Sequence, residues 1–423
     1  MISRWGEVDS TDAGNTGRYA LTAEWRTSDT HSKSRVVVYG LHYDLDLFSD
    51  FTYFLVDPVH GDQIEQRDAR TVTGAVAMHT EFGTLFGVIT RSTIGFDVRY
   101  DNIDNGLYHT EHRVRLDPVT VNGINEVGGA PFIENTMYWL PWLRSVVGLR
   151  GDLLDFHVHD VVGGNAGTGG GALFSPKATV IFGPWAHTEL YLDAGDGFHS
   201  NDARGVVTHT DPATAMPRST GAEVGARTSI IPGLESSVSF WLLDLQSELV
   251  WDGDAGTNVP SGPTRRYGIE LANYYTPVHW LTIDADYAWS HARFRDQEPA
   301  GQFVPEALVS TFDGGVALHD FAGALRPLDI GFRVRRKAQS ARSPPRSSTP
   351  MWATTSSHAF ARASPCSISS TRSPATSTTT ISRAFAANRF PVLRTFTRTR
   401  RSRGSSGRHC RFACSSLGSA GCV

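Results

Sequence analysis

From Leu281 to Ser290 the chain alternates without a break. Leu281, Ile283, Ala285, Tyr287 and Trp289 form one series, and Thr282, Asp284, Asp286, Ala288 and Ser290 form the other. Successive side chains of a strand point to opposite faces, so this segment predicts a strand with one apolar face and one face carrying carboxylates. In a soluble sandwich the apolar face lines a core; in a membrane barrel it meets lipid and the polar face lines the lumen. The surrounding run, Arg265 to Phe294, is long enough for tilted crossings of a bilayer, which take about 9 to 11 residues each.

The same patterning recurs along most of the chain, and its punctuation is lopsided. Apolar-alternating segments meet in pairs at short turns predicted at Leu47–Asp50, Glu81–Thr84, Leu140–Trp142, Gly183–His187, Ile231–Leu234 and Tyr275–Val278. Between the pairs lie long polar stretches rich in Gly, Asp, Asn and Pro: Pro58–Asp68, Asp101–Gly129, His199–Ala222 and Gly253–Pro263. Short turns at one end and long loops at the other are the layout of an outer-membrane β-barrel, whereas a sandwich mixes loop lengths at both ends. Trp139, Trp142, Trp185 and Trp280 crowd the short-turn end, where an interfacial aromatic girdle sits. Read alone they are equally ordinary core aromatics; the loop asymmetry favours the girdle.

Composition narrows the class further. Mean hydropathy is −0.24, and no window approaches the roughly 18 consecutive apolar residues of a spanning helix. A barrel crosses a membrane with every second residue polar. The opening Met1-Ile2-Ser3-Arg4-Trp5 has no apolar signal region, so either the protein stays in the cytoplasm or the chain lacks its beginning. The body up to Arg336 holds 25 of the 39 Lys and Arg against all 43 Asp and Glu, a formal balance of −18 that the tail masks in the whole-chain value of −4.

The tail, residues 337–423, is basic and rich in Ser, Thr and Arg, and holds all four cysteines: Cys366, Cys410, Cys414 and Cys422. A body without cysteine suits an oxidising envelope compartment. Three readings of the tail compete: a basic arm for nucleic acid, a metal or disulfide knot, and a stretch translated in the wrong frame. Cys410-x3-Cys414 beside His409 lacks the second paired half of a zinc site. Shifted by one base, Pro350–Ser356 can encode DVGYHF, Ser367–Thr380 can encode FNLFD followed by DIDYY, and Ser382–Gly404 can encode SRLRGEPVPGVEDIHTHPAEPR. These are alternating strands and an acidic loop, so a frameshift between about Arg335 and Ala341 is expected ahead of a nucleic-acid arm, with the tail itself disordered or irregular.

Four body segments carry a resemblance: Phe51–Arg70 (FTYFLVDPVHGDQIEQRDAR), Lys177–Gly205 (KATVIFGPWAHTELYLDAGDGFHSNDARG), Ser247–Gly256 (SELVWDGDAG) and Arg265–Phe294. With them the chain, from about Arg18 to Arg336, resembles the C-terminal barrel of TonB-dependent outer-membrane receptors; Gly197–Gly205 is the most specific part. The resemblance implies an all-β, antiparallel transmembrane barrel of about 22 strands filled by a plug. Residues 1–336 supply about 15 strands, and no plug or TonB-box segment precedes Met1, so a partial, truncated and non-functional barrel is expected. An open sheet leaves unpaired edge groups that cost several kcal/mol each in hydrocarbon.

What the family does follows as implication. External loops and plug capture a scarce ligand (a siderophore-iron chelate, a vitamin-like compound or a carbohydrate), and a TonB-type energising complex drives its entry. The implied partners are outer-membrane lipid, the small-molecule ligand and that complex, in the outer membrane of a Gram-negative cell. No enzyme activity, cofactor or nucleic acid is implied. Asp196, His199, Asn201, Asp202 and Arg204 stand where a predicted strand opens into a loop and can face ligand; alternatively they pair with one another to fix the loop's shape.

Several other groups read as structural. Glu270, Asp284 and Asp286 read as solvated wall residues. Arg150 and Asp152 are expected to pair across the wall or toward a plug. His157-x-His159 with Asp155 and Asp160 reads as a polar rim before a metal grip. Asp252-Gly253-Asp254 with Asn258 lacks calcium-loop spacing. Gly163–Gly171 reads as a flexible loop, not a phosphate cradle. A passive porin-like channel shares the barrel. A soluble β-sandwich carbohydrate-active protein would need opposed carboxylates, which Asp284 and Asp286, neighbours on one strand face, do not provide.

Overall fold

The computed structural model describes residues 9–209, 211–252, 257–296, 301–304, 307–319, 328–339, 353–363 and 409–416. The chain runs through β1 (Ala13–Ser28), β2 (Ser32–Ser49), β3 (Ile64–Leu85), β4 (Val88–Glu111), β5 (Val114–Leu140), β6 (Leu143–Asp160), β7 (Gly167–Trp185) and β8 (Thr188–Phe198). A short helix, α1 (Ala203–Val207), precedes β9 (Arg218–Thr228) and β10 (Leu234–Leu245), then a small hairpin of β11 (Leu249–Asp252) and β12 (Thr257–Pro260). β13 (Thr264–Val278), β14 (Leu281–Phe294), β15 (Leu308–Leu318), β16 (Leu328–Gln339), β17 (Ala353–Ala363) and β18 (His409–Ser416) complete the series. Apart from the separate β11–β12 pair, all strands join one 16-stranded antiparallel sheet in chain order, except that β18 pairs with β1. β16 runs through residue 336 into the tail, and two further tail segments, β17 and β18, form the ends of the sheet. Cys366, Cys422 and the segment 364–408 used in the frame argument lie outside the described residues.

The faces are inverted relative to a protein folded in water. On β14, Ile283 and Tyr287 are 37% and 40% exposed while Thr282 and Asp284 are each 7% exposed. Neighbouring strands repeat the arrangement: Phe96, Ile133, Phe174, Leu192, Val224 and Phe240 are exposed, whereas Asp101, Thr136, Asp152 and Asp313 are buried. Leaving aliphatic and aromatic groups outside while turning carboxylates inward opposes the hydrophobic effect in water. It is the arrangement hydrocarbon demands, with backbone groups satisfied by the ladder and polar side chains facing the lumen.

Among the described residues, six short turns lie at one end of the sheet. Short turns fall at residues 29–31, 86–87, 141–142, 186–187, 229–233 and 279–280. Phe86 and Gly87, like Ala186 and His187, have both residues at positive φ, the geometry of a tight hairpin. Trp139, Trp142, Trp185 and Trp280 are exposed at this end, and Trp142 stacks on Trp185 with ring centroids 6.2 Å apart, as the girdle reading expects.

Several expectations about connections need correction. The turns expected at Glu81–Thr84 and Tyr275–Val278 fall instead at residues 86–87 and 279–280, because β3 runs to Leu85 and β13 to Val278. Leu47–Asp50 is no short turn: it opens the long connection 50–63, and the short turn lies at 29–31, where Asp29 Oδ1 accepts the N–H groups of His31 and Ser32 at 2.7 Å. Asp101–Gly129 is not a loop but the outer parts of β4 and β5, which meet at His112-Arg113 with φ of 50° and 67°. These strands have 24 and 27 residues, far beyond the roughly 9 to 11 that cross a bilayer, so their outer halves stand in water and are polar without being irregular. Gly163–Gly171 is a loop only to residue 166, because β7 begins at Gly167.

Candidate functional site

The long-loop end is where the inner wall acquires structure of its own. Register aligns Arg18, Tyr43, Arg70, Ile103, Ile124 and Val158 across β1 to β6. One pleat nearer the short turns lie Leu41, Val72, Asp101, Glu126 and Phe156. The wall is thus cationic over β1–β4, acidic in the middle and apolar over β4–β6.

The 199–217 connection folds back onto the apolar part. Ala203, Ala215 and Met216 are buried against Ile103, Ile124, Phe156 and Val158, with Val206 and Val207 packed alongside. Three inward glycines of β7 make room for it. A Cβ on Gly167 would sit 3.2 Å from Val207, one on Gly169 2.7 Å from the Phe156 ring, and one on Gly171 3.1 Å from Met216 Sδ. The glycine run is a flat landing strip for this loop.

Four of the five predicted site residues shape that loop. Asp202 caps α1, its Oδ1 accepting Arg204 N–H at 2.9 Å, and its carboxylate also takes Arg204 Nε at 2.9 Å and Nη2 at 2.5 Å. Asn201 donates from Nδ2 to the Thr214 carbonyl at 2.7 Å and from its backbone N–H to Ala215 at 3.0 Å. His199 Nε2 donates to the Ser247 carbonyl at 2.8 Å, tying the loop to the 246–263 connection. Asp196 stands apart from them. It continues the exposed series of Leu190 and Leu192 on β8 and binds Arg218 Nη1 at 2.6 Å and Thr220 Oγ1 at 2.7 Å on the outer face.

The wall carries ion pairs of its own. Arg70 pairs with Asp68 and Arg99 with Asp101, each two residues apart on one strand face. Burial works against the Asp202 carboxylate, but the Arg204 guanidinium and backbone N–H outweigh it and hold its pKa below the ordinary range, with Arg70 contributing. Burial, then the Asp101 and Asp202 charges, pushes Glu126 up. Glu126 lies about 15 residues from the short turn, beyond the roughly 9 to 11 that span the membrane.

Elsewhere on the wall, Arg150 Nε binds Asp152 at 2.8 Å and its Nη2 reaches Asp97 of β4 at 3.7 Å. Asp284 is not simply solvated: Arg333 binds both it and Asp313. His157 and His159 are exposed on the outer side of β6, and no metal-holding group of three ligands occurs among the described residues.

Sequence reasoning missed Arg70, Arg99, Asp101 and Glu126. For the first three the signal was present, since opposite charges at i and i+2 share a strand face, as in Arg150 and Asp152; Glu126 has no such neighbour. It also missed the apolar tip of the 50–63 connection. There Phe51, Phe54, Leu55 and Val56 are exposed, while Asp62 accepts the N–H groups of Leu55, Val56 and Asp57.

An antiparallel barrel with a lipid-type exterior and an ion-paired lumen matches one family model, the TonB dependent receptor-like β-barrel, over residues 3–362. The chain belongs to this family. Solved structures share the receptor barrel fold at low identity. The ferric yersiniabactin uptake receptor FyuA of Yersinia pestis is 10% identical with a TM-score of 0.60, covering 84% of this chain and 56% of that one. The ferric citrate transporter FecA is 14% identical at 0.59, covering 80% and 51%. The ferric-catecholate import receptor Fiu of E. coli K12 is 11% identical at 0.58, covering 79% and 56%. The receptor barrel described here thus spans about half the length of these structures. No curated protein matches the sequence.

Proposed function

We propose that this receptor barrel serves uptake across the outer membrane of a scarce small molecule, a siderophore-iron chelate, vitamin-like compound or carbohydrate, with entry energised by a TonB-type complex. The observation that carries the reading is the inside-out facing of the wall together with the family match over residues 3–362. The wall offers binding groups, guanidinium and carboxylate pairs with a docked loop, which suits transport. Asp202, Arg204, Asn201 and His199 act by holding the 199–217 loop in place, and Asp196 by fixing the outer rim at the start of β9.

The test is accumulation of radiolabelled ferric chelates by Gram-negative cells that lack their own receptors and express this chain in the outer membrane. Uptake that collapses when the proton gradient is discharged supports the reading. Solute flux indifferent to the gradient would establish a passive channel instead.

A further inference from the structure

On the outward face near the short turns, polar side chains largely satisfy one another across strands. Thr188 Oγ1 meets Thr228 Oγ1 at 2.8 Å, Ser236 Oγ donates to Asn273 Oδ1 at 2.7 Å, and Trp139 Nε1 donates to Ser145 Oγ at 2.8 Å. Groups turned toward lipid have no bulk water to bond, so such pairing is what the surroundings require. β3 departs from the pattern. Its Glu81 side chain is 72% exposed on this face, and His79 Nε2 stands 3.5 Å from Oε1, a long contact for a carboxylate. Among the described residues no other carboxylate stands on an outward row of β1 to β16 between a short turn and the apolar belt.

Register builds a groove around this carboxylate. On the outward face of the β3–β4 hairpin, Glu81 lies opposite Ser92, Gly83 opposite Thr90, and His79 opposite Ile94. A groove of about 360 Å³ runs along these pairs, and none of its lining residues is Lys or Arg. Thr90 is buried at 5% exposure, and a Cβ added to Gly83 would meet open space, so the groove stays clear beside Glu81. Ser92 Oγ accepts Asn135 Nδ2 at 2.7 Å, which leaves its own proton to donate outward. His79 is held in place by Ser34 Oγ, 2.8 Å from Nδ1.

The groove has a direction. From Ser92 the outward row of β4 continues through Ile94, Phe96, Val98 and Tyr100 before turning polar at Asn102, a stretch of about 10 residues, the length that crosses hydrocarbon. Glu81 and Ser92 thus stand at the hydrocarbon boundary on the short-turn side, with exposed Ile94 and Phe96 on the side of the bilayer centre. A ligand that fills the groove is an amphiphile whose polar end carries a cation for Glu81 and an acceptor for Ser92, and whose apolar end points toward mid-membrane.

We infer that this groove seats the headgroup of one phosphatidylethanolamine molecule of the periplasmic leaflet, with its primary ammonium against Glu81, its phosphate against the Ser92 hydroxyl and an acyl chain along Ile94 and Phe96. The ammonium supplies the charge-assisted hydrogen bond that the protein leaves Glu81 without at short range. The site belongs to the outward face and holds whatever the lumen carries, so loss of energised uptake would leave it intact.

The probes are phosphatidylethanolamine, phosphatidylcholine and phosphatidylglycerol of the same acyl chains, mixed in equal amounts with the full chain refolded in detergent. Folding is scored by the faster migration of the unheated protein on a denaturing gel, and retained lipid is counted by native mass spectrometry. One phosphatidylethanolamine should be retained at least fivefold over either competitor, because the trimethylammonium of phosphatidylcholine has no proton to donate and phosphatidylglycerol brings no cation. Glu81→Gln should erase that preference, and Ser92→Ala should weaken it. Glu81→Lys should turn the preference toward phosphatidylglycerol, a reversal that loss of packing cannot produce. Equal retention of the three lipids by the folded native chain, or an unchanged preference in Glu81→Gln and Glu81→Lys, overturns the assignment. Displacement of the lipid by an equal concentration of soluble phosphoethanolamine would overturn it as well, since Ile94 and Phe96 would then contribute nothing.

Discussion

Among single residues, two carboxylates around the docked loop pull in opposite directions with pH. Asp202 has a lowered pKa, so its contribution is present above the ordinary carboxylate value of about 4 and is lost as pH falls through the lower, folded value. Glu126 is raised by burial and by Asp101 and Asp202, so the folded state holds its proton more tightly than the unfolded state. Its effect is therefore least costly in acid, and stability declines as pH rises from about 4.3 through the raised value. Glu126→Gln should remove that decline. Amide hydrogen exchange at Asn201, Gly205 and Ala213, whose N–H groups bond to Ala215, Asp202 and Gly205, reads the loop directly. At pH 7.5 the variant should be several-fold better protected than the native chain, and near pH 4 the two should converge; equal protection at pH 7.5 would remove Glu126 from the loop's energetics. Asp202→Ala should cost about 1 kcal/mol through the lost cap alone, seen as faster exchange at the same three amides. Asp202 and Arg204 were visible in the sequence as a polar cluster beside a strand end. Their roles were not, because a cap is defined by where the helix starts, and α1 has only five residues, too short to announce itself by periodicity.

For whole elements, the docking of the 199–217 loop depends on β7 presenting backbone where other strands present side chains. Gly169→Val tests this. The added branches would meet the Phe156 ring and Val206, an overpacking that typically costs 1 to 3 kcal/mol, so the loop should lift while the sheet survives. Trypsin cleavage after Arg204 should accelerate at least tenfold, with the gel mobility of the folded barrel unchanged. Gly151→Val is the control, because a Cβ there meets open space. Cleavage as slow as in the native chain would mean that the landing strip does not hold the loop. The glycine run could not be assigned from sequence, since glycine marks a flexible loop and a close approach equally well and only the distant partners, Val206, Val207 and Met216, decide between them. The β4–β5 hairpin failed for a related reason. Strands in water on both faces lose the apolar alternation that marks a lipid crossing, and the positive φ of His112-Arg113 carries no glycine to announce the turn.

Across the whole molecule, the facing of the wall was the most legible feature, because a period of two leaves only the choice of solvent on each side. Strand order was legible too, since consecutive strands joined by short turns pair as neighbours. Long-range register was not legible. The charged groups that converge on the lumen come from β1, β3, β4 and the loop after β8, and nothing local in the chain brings Arg18 beside Arg70. The facing itself can be tested by the sign of one substitution. Phe240 is 52% exposed near the middle of β10. In water, replacing an exposed Phe by Arg is close to neutral and improves solubility. In hydrocarbon the same exchange places a guanidinium in lipid and costs about 2 to 4 kcal/mol at the midplane. Folding of Phe240→Arg into phosphocholine vesicles, followed by urea titration, should therefore show a loss of that size, with the midpoint lowered and the slope retained. A neutral or stabilising Arg at this position would mean that water covers the exposed face, and the barrel would have to be read as a soluble sheet.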